Sequence, residues 1–177
     1  MGLFSVIKGD TLHFNKNAVP VWNDITANLN NIPKGFFDSK PTEKEVLFNA
    51  LTTTKIAVFD MLFHPDTGII KNRVKSFDKQ AFYVLYEIII LFLISTFKNV
   101  RHQEADELKA VFIDAIGRTE ECGALWNELD KFYKNNNKQI EIILNKISGY
   151  AGQLEEKEES DLVSAFRGLV VTFTQAI

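Results

Sequence analysis

Phe82-Tyr83-Val84-Leu85-Tyr86-Glu87-Ile88-Ile89-Ile90-Leu91-Phe92-Leu93-Ile94-Ser95-Thr96-Phe97 decides how the rest of the chain is read. Residues 88–94 are apolar without a break, and Glu87 is the only charge in the stretch. A helix apolar all round is either the buried centre of a bundle or a membrane span. Residues 81–97 make seventeen positions, about 25 Å of helix at ~1.5 Å per residue, whereas a span takes about twenty residues. Lys75 and Lys79 before it and Lys98 and Arg101 after it give no charge asymmetry across it. The balance is against a membrane span and for a central helix that the rest of the chain covers.

The segments on either side fit that role, each carrying one apolar stripe. Towards the N-terminus, Thr42-Glu43-Lys44-Glu45 has the form of a capping box. It opens a helix with Leu47, Ala50, Leu51, Thr54, Val58, Met61 and Leu62 on one face, ending at His64 because Pro65 disfavours helical geometry before it. Ala18, Val21, Trp22, Ile25 and Leu29 predict an earlier helix, with Pro20 in its first turn. Residues 33–41 between these two helices read as a connecting loop. Over residues 1–15 a small β-hairpin turning at Gly9-Asp10, or an irregular arm, is expected.

Between His64 and the central helix lie a turn at Asp66-Thr67-Gly68, a small basic patch of Lys71, Arg73 and Lys75, and Ser76 as the expected cap. Beyond the central helix, Leu108, Val111, Phe112, Ala115 and Ile116 predict an amphipathic helix closed by Gly117. Leu125, Leu129, Phe132, Ile140, Ile143 and Ile147 keep one phase, so one long helix over residues 124–148 is expected, a break at Asn135-Asn136-Asn137 being its rival. After a turn at Tyr150-Ala151-Gly152, Leu162, Phe166, Leu169, Val170, Phe173 and Ile177 mark a last helix. The acidic run 155–159 suits its solvated first turn, where negative charge favours the helix dipole. The expectation is an all-α fold: one domain over residues 1–177, a bundle of about six helices around the central one.

The totals agree. The chain has 177 residues, 46% apolar and 24% charged, which is enough for one real core and unlike a disordered segment. Fifteen phenylalanines favour a thick core or an apolar cavity. A net charge of −3 gives no electrostatic reason to expect a nucleic-acid partner. The single cysteine, Cys122, allows no internal disulfide and favours a reducing, cytoplasmic setting. The first residues lack the features of a signal peptide, and Val6 stands where a myristoylation signal wants Ser or Thr.

For chemistry, several motifs are missing: a glycine-rich phosphate loop, Gly-x-Ser-x-Gly, His-Glu-x-x-His, and the Glu-x-x-His pair of a di-iron bundle. Asp60 with His64 and His102 with Asp106 have i, i+4 spacing and are the only candidate metal ligands, but a helix-end His and a loop His are the plainer readings. No cofactor is called for. Glu120 and Glu121 would hold the Cys122 thiol protonated, which argues against a catalytic cysteine.

Glu87 is the most informative polar residue. Buried bare, its carboxylate would cost several kcal/mol, about the penalty for an unpaired ion. It must be paired, protonated, at a wet helix end or lining a cavity, and a contact with solvent or a nearby lysine is the plain expectation. As a polar anchor in an apolar pocket it is the candidate ligand-binding residue.

The expected function is a non-enzymatic interaction module that binds a protein partner or a second copy of itself. One alternative is a binder of an apolar, lipid-like small molecule in a phenylalanine-lined cavity anchored by Glu87. The other is an enzyme with a site assembled from Asp60, His64, Glu87 and His102, and the balance is against it.

Overall fold

The computed structural model describes residues 15–177, so the hairpin or arm expected over 1–15 lies outside the described residues but for Asn15. The described chain is all-α. It runs α1 (Ala18–Leu29), α2 (Lys34–Ser39), α3 (Pro41–Ile56), α4 (Lys79–Phe97), α5 (His102–Ile116), α6 (Thr119–Asp130), α7 (Asn136–Ala151) and α8 (Glu156–Ala176). A wide π turn (Ala57–Leu62) extends α3, and a 3-10 turn (Lys71–Ser76) precedes α4.

α4 is the axis. α1, α3, α5, α6, α7 and α8 all pack on it, and every residue from Val84 to Phe97 is buried. Its length and composition would suit a membrane span, but here the other helices of the same chain surround it. With no water to take the few polar groups on such a helix, each needs an internal partner. Tyr86 donates from its hydroxyl to Ala18 O at 3.1 Å, which pins the start of α1. Ser95 Oγ accepts from Gln139 Nε2 at 2.7 Å, tying the start of α7 to the far end of α4. Aromatic rings fill the space on the α1 and α3 side: Phe63, Phe77 and Phe82 meet with centroids 5.0–5.5 Å apart, and Trp22 lies edge-on to Tyr86 at 5.3 Å.

Two helices more than the expected six appear, for physical reasons. Residues 33–41 contain α2, a short helix entered from extended Pro33 and burying Phe37, where a loop was expected. Residues 124–148 are two helices, not one. Asn135 stops the chain and caps α7, its Oδ1 accepting from Lys138 N at 3.2 Å, and Phe132 falls in the turn between them.

Three caps also differ from expectation. α3 begins at Pro41, whose missing N–H and fixed φ suit the first helical position, so Thr42 is already inside the helix and no capping box forms. Asp78, not Ser76, caps α4, its Oδ1 accepting from Ala81 N at 2.8 Å, while the Ser76 hydroxyl donates back to Arg73 O. A capping box forms instead at α8, between Glu155 and Glu158. Glu158 also takes Arg73 Nη2 at 2.7 Å, so the acidic run holds the 3-10 turn as well as favouring the dipole.

The π turn inserts one residue in the apolar stripe of α3, so that Phe59, Leu62 and Phe63 face inward and Met61 moves to the margin. The chain then folds back on the end of that turn, Ile69 N bonding to Met61 O at 2.9 Å. Gly68 permits this: a Cβ there would lie 2.6 Å from Leu62 O and His64 N. Gly117 closes α5 in the left-handed region at φ 71°, as its sequence position predicts.

Ile90 has no exposed surface. Ile90→Val should lower stability by about 1 kcal/mol in urea unfolding. Ile90→Asp should leave no cooperatively folded protein, and a variant with wild-type circular dichroism and a sharp melt would contradict the central place of α4.

Candidate functional site

The apolar run of α4 begins after a polar patch on one face, where Tyr83 and Glu87 lie one turn apart. The α5–α6 corner is laid on this patch. Gly117 turns the chain, the next residue, Arg118, reaches back to α4, and Cys122 follows one turn into α6. Arg118 Nε donates to Glu87 Oε1 at 2.5 Å, and Arg118 Nη1 lies 3.3 Å from Gln80 Oε1 and 3.7 Å from Glu121 Oε1. The guanidinium rests on the Tyr83 ring, 4.6 Å from its centroid, and the Tyr83 hydroxyl donates to Asp24 Oδ2 of α1 at 2.8 Å. Three helices and one corner therefore meet at a single ion pair. Its carboxylate is wholly buried, and the Arg118 side chain keeps 19% exposure, with Nη2 buried and without a hydrogen-bond partner.

Burial sets the electrostatics. It pushes Glu87 up to about 6, although Arg118 pulls the other way. Burial also works against the charge on Arg118, but the Glu87 and Glu121 carboxylates outweigh it and hold the guanidinium above its ordinary value. Cys122 is pushed well up by burial and then by the Glu87 charge, so its thiol stays protonated. Glu87 Oε2 is buried and has no hydrogen-bond partner. Tyr83 is raised to about 12 by burial and by its bond to Asp24. The cluster can hold or release one proton near neutral pH at Glu87. It offers no thiolate nucleophile.

The partner of Glu87 had no local signal in the sequence. Arg118 stands thirty-one positions away, and the nearby lysine expected for Glu87 is not the group that reaches it. Only the helix-ending Gly117 hinted that the next residue could turn back on the bundle.

The histidine pairs stand elsewhere. Asp60 is exposed on the π turn, and His64 Nδ1 accepts from the backbone N–H of Asp66 and Thr67 at 3.2 and 3.3 Å, ordering the turn. His102 opens α5 with Nδ1 3.4 Å from Asp106 Oδ2, and Lys98 Nζ takes the other Asp106 oxygen at 3.2 Å. Among the described residues no three His, Cys, Asp or Glu side chains group as metal ligands.

A second feature is concave. Ile32, Pro33 and Phe36 of the α1–α2 corner face Val111 and Ala115 of α5 across a groove of about 390 Å³, with Asp114 at its edge. Lys40, paired with Glu107 and stacked near the Phe36 ring, ties the α2–α3 junction to α5 beside it. A groove of similar volume between α7 and α8 is rimmed by Glu141, Glu156 and Glu159. No family model, no curated protein and no solved structure matches the chain.

Glu87 binds its proton more tightly folded than unfolded, so its contribution to stability is complete below pH 4.5 and is lost as pH rises through about 6. The loss amounts to about 2 kcal/mol. Glu87→Gln removes the titrating group, and between pH 4.5 and about 7 its stability relative to wild type should improve by about 2 kcal/mol in urea melts. Parallel pH profiles would show that the carboxylate does not titrate with folding. Arg118→Ala should cost about 3–5 kcal/mol at neutral pH, as breaking a buried pair does. The cost should shrink near pH 5, where Glu87 takes up a proton.

Proposed function

We propose that the protein is a non-enzymatic helical binding module that takes a protein partner, or a second copy of itself, in the groove between the α1–α2 corner and α5. The observation that carries this reading is the chemistry of that groove: an apolar floor of Ile32, Phe36, Val111 and Ala115 with a polar edge at Asn31 and Asp114. An apolar centre inside a polar rim is the usual anatomy of a protein interface, and a groove beside a helix suits an amphipathic helix from the partner. The α7–α8 groove has two apolar residues in its lining, Leu144 and Val163, among three carboxylates, Asn145 and Ser160. A cytoplasmic setting belongs to the same proposal, supported by the one cysteine standing as a buried free thiol.

The small-molecule reading is weaker on one specific ground. Phe63, Phe77 and Phe82 lie in contact with each other and fill the volume that a cavity would need. A site built from Asp60, His64, Glu87 and His102 is weaker still, since Asp60 is exposed on the π turn while Glu87 is wholly buried on α4.

A photo-cross-linking residue placed at Val111 should give one discrete adduct in cells, whereas the same residue at Gln175, exposed on α8, should give none. Phe36→Asp should remove the adduct. Equal labelling from both positions would sink the reading. A bound small molecule in the native mass spectrum, displaced by the Phe36 substitution, would replace it with the ligand-binding alternative.

A further inference from the structure

The end of α4 away from Glu87 carries an unusual surface. The turn after α4 and the turn between α6 and α7 sit side by side: Asn99 Nδ2 donates to Tyr133 O at 2.9 Å, and the His102 ring meets Tyr133 edge-on at 5.7 Å. Both turns are closed by backbone hydrogen bonds. Val100 N and Arg101 N both bond to Phe97 O at 2.9 Å, and Asn135 N bonds to Phe132 O at 2.7 Å. Beneath them Lys98 is buried, its ammonium held by Asp130 at 2.7 Å and Asp106 at 3.2 Å and flanked by the Trp126 and Tyr133 rings.

On this footing two apolar side chains stand out into solvent, Val100 at 73% and Phe132 at 40% exposure. Exposed Arg101, Lys131 and Lys134 belong to the same two turns, and exposed Lys138 to the first turn of α7. The carboxylates at this end are engaged: Asp106 and Asp130 by Lys98, Glu104 at 3.7 Å from Arg101, and Glu141 at 2.8 Å from Lys138. Lys131 and Lys134 stand outside these pairs, and the five cations, Lys98 included, exceed the four carboxylates by one, so the tip is locally positive on a chain whose net charge is −3.

We propose that this tip docks on an anionic lipid membrane, with Val100 and Phe132 entering the boundary between headgroups and acyl chains and Lys131, Lys134 and Arg101 lying against the anionic headgroups. Apolar side chains ringed by cations are the composition that interfacial binding rewards, since buried apolar area and attraction to anionic lipid add. Turns closed by backbone hydrogen bonds lower the ordering cost of presenting both side chains. Nucleic acid shares the phosphate chemistry, but the most prominent side chain, Val100, offers no face on which a base could stack, whereas it suits an acyl boundary. The tip is separate from the groove: Val111 lies nine residues along α5 from His102, about 13 Å at ~1.5 Å per residue.

The test uses the full chain with vesicles of phosphatidylcholine alone and of phosphatidylcholine with phosphatidylserine, separated by flotation at low and physiological salt. Binding should require phosphatidylserine and weaken with salt. Lys131→Glu with Lys134→Glu, and separately Val100→Ser with Phe132→Ser, should each lower the partition by about tenfold or more. The melting curves of the lysine variant and of Val100→Ser alone should not move, because those side chains are exposed; Phe132 is 40% exposed and its truncation is read beside them. Tryptophan emission of Phe132→Trp should shift to the blue on phosphatidylserine vesicles. Failure to bind those vesicles, or variants that bind as well as wild type, would overturn the proposal. So would a single-stranded oligonucleotide that binds the tip in preference to vesicles.

Discussion

A helix without a polar face has to be covered on every side, and that requirement organises this molecule. α4 buries Ile88, Ile89, Ile90, Leu91, Phe92, Leu93 and Ile94 completely. One partner helix can cover only about a third of such a surface, so α1, α3, α5, α6, α7 and α8 must all reach it. Their own single stripes then have a common target, and the amphipathicity of the outer helices follows from the lack of it in the inner one. Short connections suffice because each outer helix only has to step round the axis.

The same burial leaves the polar groups of α4 few, and each is met from another part of the chain or by a cap. Asp78 takes the free Ala81 N–H at the first turn, as a helix N-terminus requires. Glu87, half-way along, is met by Arg118 of the α5–α6 corner. Towards the last turn Ser95 pairs with Gln139, and just beyond it Lys98 with Asp106 and Asp130. A buried ion pair is a poor source of stability compared with an apolar contact of the same volume, because two charges must leave water. What the Glu87–Arg118 pair does supply is geometry. Slipping the α5–α6 corner by one residue would strand a carboxylate inside the bundle, so wrong registers are penalised far more than the right one is rewarded.

The parts of this fold that were legible in the sequence are those governed by period. The stripes of α1, α5 and α8 and the featureless run of α4 show through because a 3.6-residue repeat of apolar side chains needs no distant information. Caps were legible only where one residue type dominates, as at Gly117. Where two residues compete for the same role the choice turned on backbone geometry: Pro41 against Thr42, Asp78 against Ser76. The continuous phase of Leu125, Leu129, Ile140, Ile143 and Ile147 was misleading, since α7 folds back beside α6, with Lys146 Nζ 3.0 Å from Glu128 Oε1, and each helix turns its own stripe to α4. Glu87 was recognisable as a problem that the fold must solve. Its solution, Arg118, was not, because nothing in a linear sequence couples positions joined only by the packing of two helices.

The Glu87–Arg118 pair also bears on the surface of the molecule. Arg118 follows α5 directly, so the clamp on its guanidinium fixes the end of the helix whose Val111, Asp114 and Ala115 form one wall of the groove. The opposite wall hangs from the α2–α3 junction, which Lys40 ties to Glu107 on the same helix. Both walls are thus referred to α5, and α5 is held to the core by an ion pair at one end and by Asp106 on buried Lys98 at the other. Ties of this kind at both walls would lower the ordering cost of any partner the groove takes. The expense of burying Glu87 is therefore connected to the concave surface by covalent continuity: the corner that neutralises the carboxylate is the corner that sets the wall.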